Sequence, residues 1–130
     1  MDIVQVESPE HFNFGHKLIA QLHAYLGRGD MEKPEYLRRY DLAKQAGYQQ
    51  YLLFKDEQAI GLIGFRILND MLRPRRLFVD DMIIDEAYRG SGYAKILMDF
   101  AYNYAKENGC VRMDLEAALH NENAIGFYNH

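Results

Sequence analysis

The sequence predicts an α/β (α+β) fold built on a mixed, mostly antiparallel sheet with helices on both faces. Three observations lead there. Two segments of helical character, each opened by a proline and closed by glycine, lie within residues 9–47. The period then drops to two over residues 48–84, where apolar runs separated by short turns read as consecutive strands. A glycine-rich turn, a helix with an apolar stripe and one further strand complete residues 88–117.

The elements follow in order. "DIVQV" alternates apolar and polar residues as a half-buried strand does, and Ser8 with Pro9 supplies an N-cap and a first helical turn. The helix that follows carries Phe12, Leu18, Ile19, Leu22 and Leu26 and ends at "GRGD". A second helix is expected over residues 34–47, with Tyr36, Leu37, Tyr40 and Ala43 on one side. "YQQYLLFK", the turn "DEQ" and "AIGLIGFRIL" form a hairpin, and after "NDMLRPR" the strand "RLFVDDMII" extends it to a three-stranded meander. Helix three spans residues 91–108, with Tyr93, Leu97, Phe100, Ala101 and Tyr104 as its stripe and Gly109 as its stop. The strand "CVRMDLEA" and a helix opening near Asn121 complete the chain.

Composition narrows the function. With 130 residues, 48% of them hydrophobic, the chain supports one core and is expected to be a single domain. Its apolar runs are far shorter than the roughly 20 residues of a membrane span, and "MDIVQVESPEH" lacks a signal pattern, so a soluble cytoplasmic protein is expected. The lone Cys110 reads as a buried structural thiol. A formal net charge of -4 argues against a general nucleic-acid surface. His11, His16 and His23 lie on or near helix one without a cysteine or carboxylate cluster, which predicts no metal site. His120 and His130 read as surface histidines, and "RPRR", residues 73–76, as a solvated basic run.

The segment "YRGSGYAKIL", residues 88–97, stands out in this acidic chain. It lies between a strand and a helix, where first-turn N–H groups have no internal partner and the helix dipole favours an anion. Gly90 and Gly92 let a phosphate approach the backbone, and Arg89 and Lys95 can add charged hydrogen bonds. A P-loop is excluded because Ile96, not Ser or Thr, follows Lys95. A Rossmann fingerprint fits partly: Gly90 and Gly92 are present, Lys95 replaces the third glycine, and Glu116 lies at the distance of a ribose contact.

Residues 77–128 match a different pattern more fully. Arg89, Gly92 and Ala94 reproduce the Arg/Gln-x-x-Gly-x-Gly/Ala motif of the GNAT superfamily of acetyl-coenzyme A-dependent N-acetyltransferases, between a strand and a helix. "NENAIGFY", residues 121–128, is similar to that family's Asn-rich helix start leading to Phe-Tyr. The chain therefore resembles a GNAT enzyme, closely over about its last 55 residues and by element order elsewhere.

The resemblance implies a splayed parallel pair formed by residues 77–84 and 110–117, with pantetheine hydrogen-bonded to the backbone of Met82, Ile83 and Ile84. It implies that the segment Arg89, Gly90, Ser91, Gly92, Tyr93, Ala94 and Lys95 takes the pyrophosphate of acetyl-CoA, that Asn121 and Asn123 line the cofactor, and that Tyr128 protonates the leaving thiolate. An acceptor amine arrives protonated, with a pKa of about 10.4, and must lose that proton. Asp80 or Asp81 is the candidate to bind the ammonium and accept the proton, with Glu116 as second choice. Strand alternation puts the two aspartates on opposite faces unless a bulge intervenes. A backbone N–H near Met82 can polarise the thioester carbonyl.

The implied reaction is acetyl transfer to a primary amine of a small molecule or protein. A non-catalytic acetyl-CoA-binding regulatory module and a Rossmann-like nucleotide binder are the alternatives. Family members continue past the Phe-Tyr helix into a further strand, whereas this sequence ends at His130. The strand at residues 110–117 then has an open edge, and a homodimer covering it is expected.

Overall fold

A computed structural model describes residues 1–116. Five strands, β1 (Asp2–Gln5), β2 (Gln49–Lys55), β3 (Gln58–Leu68), β4 (Arg76–Ile84) and β5 (Arg112–Leu115), lie in the order β1-β2-β3-β4-β5. The first four pair antiparallel and β5 joins β4 in parallel. Helices α1 (Pro9–Tyr25) and α2 (Lys33–Gln45) cover one face; α3 (Tyr93–Glu107) covers the other. This is the α+β architecture expected, and its antiparallel meander excludes the doubly wound sheet of a Rossmann domain.

Each boundary has a local cause. Ser8 caps α1 by accepting from the His11 N–H at 3.2 Å, while the His11 ring accepts from the Ser8 N–H in return. The third helix begins at Tyr93 rather than Ser91 because Gly92, its N-cap, takes φ +84°. The last strand begins two residues later than expected. Cys110 N–H bonds Ala105 C=O, which closes α3, and Val111 N–H bonds Arg75 C=O just before β4.

β3 lies third in the sheet with helices on both faces, which is why "AIGLIGF" reads as a continuous apolar run rather than an alternation. Ile60, Leu62, Ile63 and Phe65 are fully buried. On the α3 face Phe65 packs against Tyr51, Phe100 and Tyr104. On the other face Tyr36, Tyr40 and Phe12 form a cluster of tilted rings.

Two expectations change. The "RPRR" run is not simply solvated: Arg76 is buried and ion-paired with Asp70 at 2.8 Å and Asp114 at 3.5 Å, and Arg75 donates to the Asn108 carbonyl at 2.8 Å. These bonds tie the β3–β4 loop to β5 and the end of α3. Cys110 is half-buried rather than enclosed.

Candidate active site

The parallel pairing of β4 with β5 stops at Val79 and Leu115, after which Glu116 N–H still reaches Val79 C=O at 3.0 Å. Residues 81–84 keep their β3 partners but have none on the β5 side among the described residues. Asp85 N–H donates to Ile60 C=O, so alternation turns the Ile83 peptide toward β3 and those of Met82 and Ile84 toward the open side. The Ile84 carbonyl there accepts from Arg89 Nε at 2.7 Å.

Beside this gap, Gly90 and Gly92 both hold left-handed conformations, φ +82° and +84°, and a Cβ built at either position meets nothing within 4 Å. The first turn of α3 has no side-chain cap among the described residues, which leaves its amides available to a ligand. Free amides next to an open strand edge fit a pyrophosphate joined to an extended chain. The side chains differ from expectation. Arg89 folds back onto Ile84, with its guanidinium 3.8 Å from the Tyr25 ring centroid, and so pins the loop to β4 and α1. Burial lowers its pKa. Lys95 is exposed and pairs with Asp99. Tyr93 accepts from Lys55 Nζ, Ser91 is exposed, and Ala94 is buried in the core. The loop therefore offers backbone amides rather than a free arginine.

The two aspartates are brought together. Gly64 pairs with Asp81 and Phe65 with Val79, leaving Asp80 as the extra residue of a β-bulge. Both acids consequently line one cavity of about 340 Å³ between β4 and helices α1 and α2. Arg66 grips Asp80 with two bonds of 2.9 and 2.7 Å. Among the described residues Asp81 has no such counter-ion; its Oδ2 accepts from the Tyr48 hydroxyl at 2.6 Å. Burial pushes its pKa up to about 6, against the opposing effect of the Tyr48 bond. Glu116 lies within electrostatic reach of Asp81.

Sequence reasoning missed the remaining wall of the cavity: Tyr36, Tyr40, Tyr48, Gln50, His23 and Arg39 among others. Burial raises the pKa of Tyr36, Tyr40 and Tyr48, so all three hydroxyls stay protonated at neutral pH. His23 is held toward its neutral form by burial and by Arg39 and Arg28. Gly15 and Gly64 were the available signals, since an isolated glycine in a helix or strand marks a close approach. A Cβ on Gly15 would overlap the Tyr36 hydroxyl, and one on Gly64 the Tyr48 hydroxyl.

Asn121, Asn123, Tyr128, His120 and His130 lie outside the described residues. Among those described, no group of three metal-ligating side chains occurs and no helix is long and apolar enough to cross a membrane. His16 bonds the Met31 carbonyl at 2.6 Å.

Comparison with known proteins agrees with this fold. The profile of the acetyltransferase (GNAT) family matches residues 15–130. An uncharacterized N-acetyltransferase of Bacillus subtilis (strain 168), YhdJ, is 23% identical over 125 residues, which cover 95% of this chain and 84% of that protein. A ribosomal-protein-alanine N-acetyltransferase from Brucella melitensis biovar Abortus 2308 shares the fold with a TM-score of 0.76 at 22% identity, over 95% of this chain and 85% of its own. The aminoglycoside N-acetyltransferase AAC(6')-Iy, in complex with CoA, does so with a TM-score of 0.74 at 20% identity, over 95% and 80%. With the family profile covering most of its length, the chain belongs to the acetyltransferase (GNAT) family and is an acyltransferase.

Proposed function

We propose that the protein, as one GNAT domain, transfers the acetyl group of acetyl-CoA to a primary amine seated in the cavity at the β4 bulge. The observation that carries this reading is the bulge itself: it turns two carboxylates into one cavity, immediately before the strand segment whose far edge is open. Acetyl-CoA supplies an acetyl thioester. The amides at Gly90, Gly92 and the first turn of α3 hold its pyrophosphate, and the Met82 N–H on the open edge polarises the thioester carbonyl.

Asp81 accepts the ammonium proton, because Arg66 already neutralises Asp80. A carboxylate with a pKa of about 6 is ionised at pH 7.5 yet more basic than an ordinary aspartate. Tyrosine rings beside it suit a cationic amine. At roughly 30 Å³ per water-sized group, the cavity holds about ten non-hydrogen atoms. That favours a small amine, or one protein side chain or terminus, over a large polycyclic acceptor. Tyr128 remains the proposed general acid, and Asn121 and Asn123 the proposed cofactor contacts.

Thiol release from acetyl-CoA across a panel of small amines and amine-bearing peptides tests the reading. At least one acceptor is expected to turn over, and CoA alone to raise the melting temperature. Gly92→Val forces a side chain into left-handed backbone and is expected to lose that CoA shift. Coenzyme A binding without turnover of any amine would favour the regulatory-module alternative.

The homodimer is likewise a proposal. β5 has β4 on one side and no other strand among the described residues, so a second copy pairing along it would hide an open edge. Light scattering at micromolar concentration is expected to give twice the chain mass; a monomer of 15.2 kDa would remove the idea.

A further inference from the structure

Four side chains that approach from three elements form one chain of hydrogen bonds ending on Asp81. The Tyr36 hydroxyl on α2 donates to Gln50 Oε1 at 2.6 Å; Gln50 Nε2 on β2 donates to the Tyr48 oxygen at 2.9 Å; the Tyr48 hydroxyl donates to Asp81 Oδ2 at 2.6 Å. Tyr36, Tyr48 and Gln50 are all at least nine-tenths buried. Buried polar groups of this kind are costly unless fully paired, and here two glycines make the room. Gly15 on α1 lies against Tyr36 and Gln50, and Gly64 on β3 lies against Tyr48. Glycine in the middle of a 17-residue helix costs about 1 kcal/mol relative to alanine, so its presence needs a local reason.

The direction of the bonds matters. A tyrosine hydroxyl has one proton. Because the Gln50 amide donates into the Tyr48 oxygen, that proton is committed to Asp81 Oδ2. Oδ1 has no partner among the described residues, and Asp81 lines the cavity, so this is the oxygen left to face it.

We infer that Tyr48, oriented by Gln50 and Tyr36, is a positioning residue that occupies Oδ2 of Asp81 and presents Oδ1 as the oxygen that receives the acceptor's proton. This rests on Asp81 being the proton acceptor. When the amine gives up its proton, Oδ1 gains it, and the Tyr48 bond to Oδ2 persists without rearrangement. The other charged groups facing Asp81 are Arg66 on β3, Asp80 beside it on β4, and Glu116 beyond β5. His23 on α1 and Arg39 on α2 line the same cavity. None of these is hydrogen-bonded to Asp81, so among the described residues Tyr48 is the one group whose removal acts on it directly.

Tyr48→Phe keeps the ring and removes the proton. A donor to the ionised form lowers a carboxyl pKa, so the acid limb of the kcat/KM profile is expected to move up by about one pH unit, and kcat to fall about tenfold with the amine KM little changed. The melting shift produced by CoA is expected to be unaltered. Tyr36→Phe, a milder change at the far end, is expected to move the limb in the same direction by less, and covers the case in which Tyr48→Phe does not fold. Carbon-13 titration of the Asp81 carboxyl in each variant gives the same shift without turnover. If Asp81→Asn is inactive while both tyrosine variants leave limb and carboxyl titration in place, the inference is wrong and the proposed base stands. If Asp81→Asn is active, the base assignment itself is wrong, and an upward Asp81 titration in Tyr48→Phe would then mark only an electrostatic contact and overturn the positioning role.

Discussion

Asp81→Asn is expected to abolish most turnover and, at the same time, to make the protein more stable at pH 7.5. Loss of a general base typically costs 10²–10⁴-fold in rate. The stability gain follows from the same burial. The Asp81 pKa is raised in the folded state from 3.8 to about 6, so the folded protein holds this proton more tightly than the unfolded chain does. Its contribution to stability is therefore greatest below about pH 4 and declines as pH rises through 6. Above that the folded state carries a strained charge. The whole shift corresponds to about 3 kcal/mol, and the access of Asp81 to the cavity reduces it, so about 1–3 kcal/mol is expected. Asparagine keeps an oxygen to accept from Tyr48 and carries no charge. Denaturant melts of both proteins at pH 4, 5 and 7.5 measure the gap, which should widen up to about pH 6 and then stay constant. A variant no more stable than the parent at pH 7.5 would show that the carboxylate is not held against a desolvation cost, and would remove the reason for its elevated basicity. Activity purchased at the expense of stability is the usual sign of a functional group.

The sequence made the elements legible because each carries its own local signal. Proline and glycine punctuate α1 and α2, the period change marks the meander, and glycines bracket α3. The glycine loop was legible for the same reason, being one run, residues 89–95, whose geometry is set by two glycines. The proposed acceptor side was less so. Asp80 and Asp81 were identifiable as a pair, but alternation alone separates them, and a bulge is a property of two strands in register rather than of one. Tyr36, Tyr48 and Gln50 come from two regions 12 residues apart and reach Asp81 only after α2 has folded over the sheet. Arg89 was misjudged in orientation: its motif position is fixed by sequence, whereas its rotamer is decided by the Ile84 carbonyl and the face of Tyr25.

Gly64→Ala provides the strongest check on whether the bulge and the tyrosine were built together. Replacing a strand glycine by alanine normally helps, because glycine loses more backbone freedom on folding. Here the sign reverses. The new Cβ would overlap the Tyr48 hydroxyl and lie 2.5 Å from its Cζ and 2.7 Å from its Cε1. Tyr48 is 7% exposed and held by both Gln50 and Asp81, so the ring cannot swing aside without breaking two buried bonds. Overpacking costs about 1–3 kcal/mol, and a broken bond to a charged group adds about as much. A loss of about 3 kcal/mol or more is expected in a denaturant melt, with activity reduced as in Tyr48→Phe. The double variant Gly64→Ala/Tyr48→Phe discriminates the cause. Without the hydroxyl the most severe overlap is gone, so the pair should be more stable than the sum of the single losses predicts. Strict additivity would mean that the strand, not the tyrosine, objects to the methyl group, and that Gly64 serves the bulge alone.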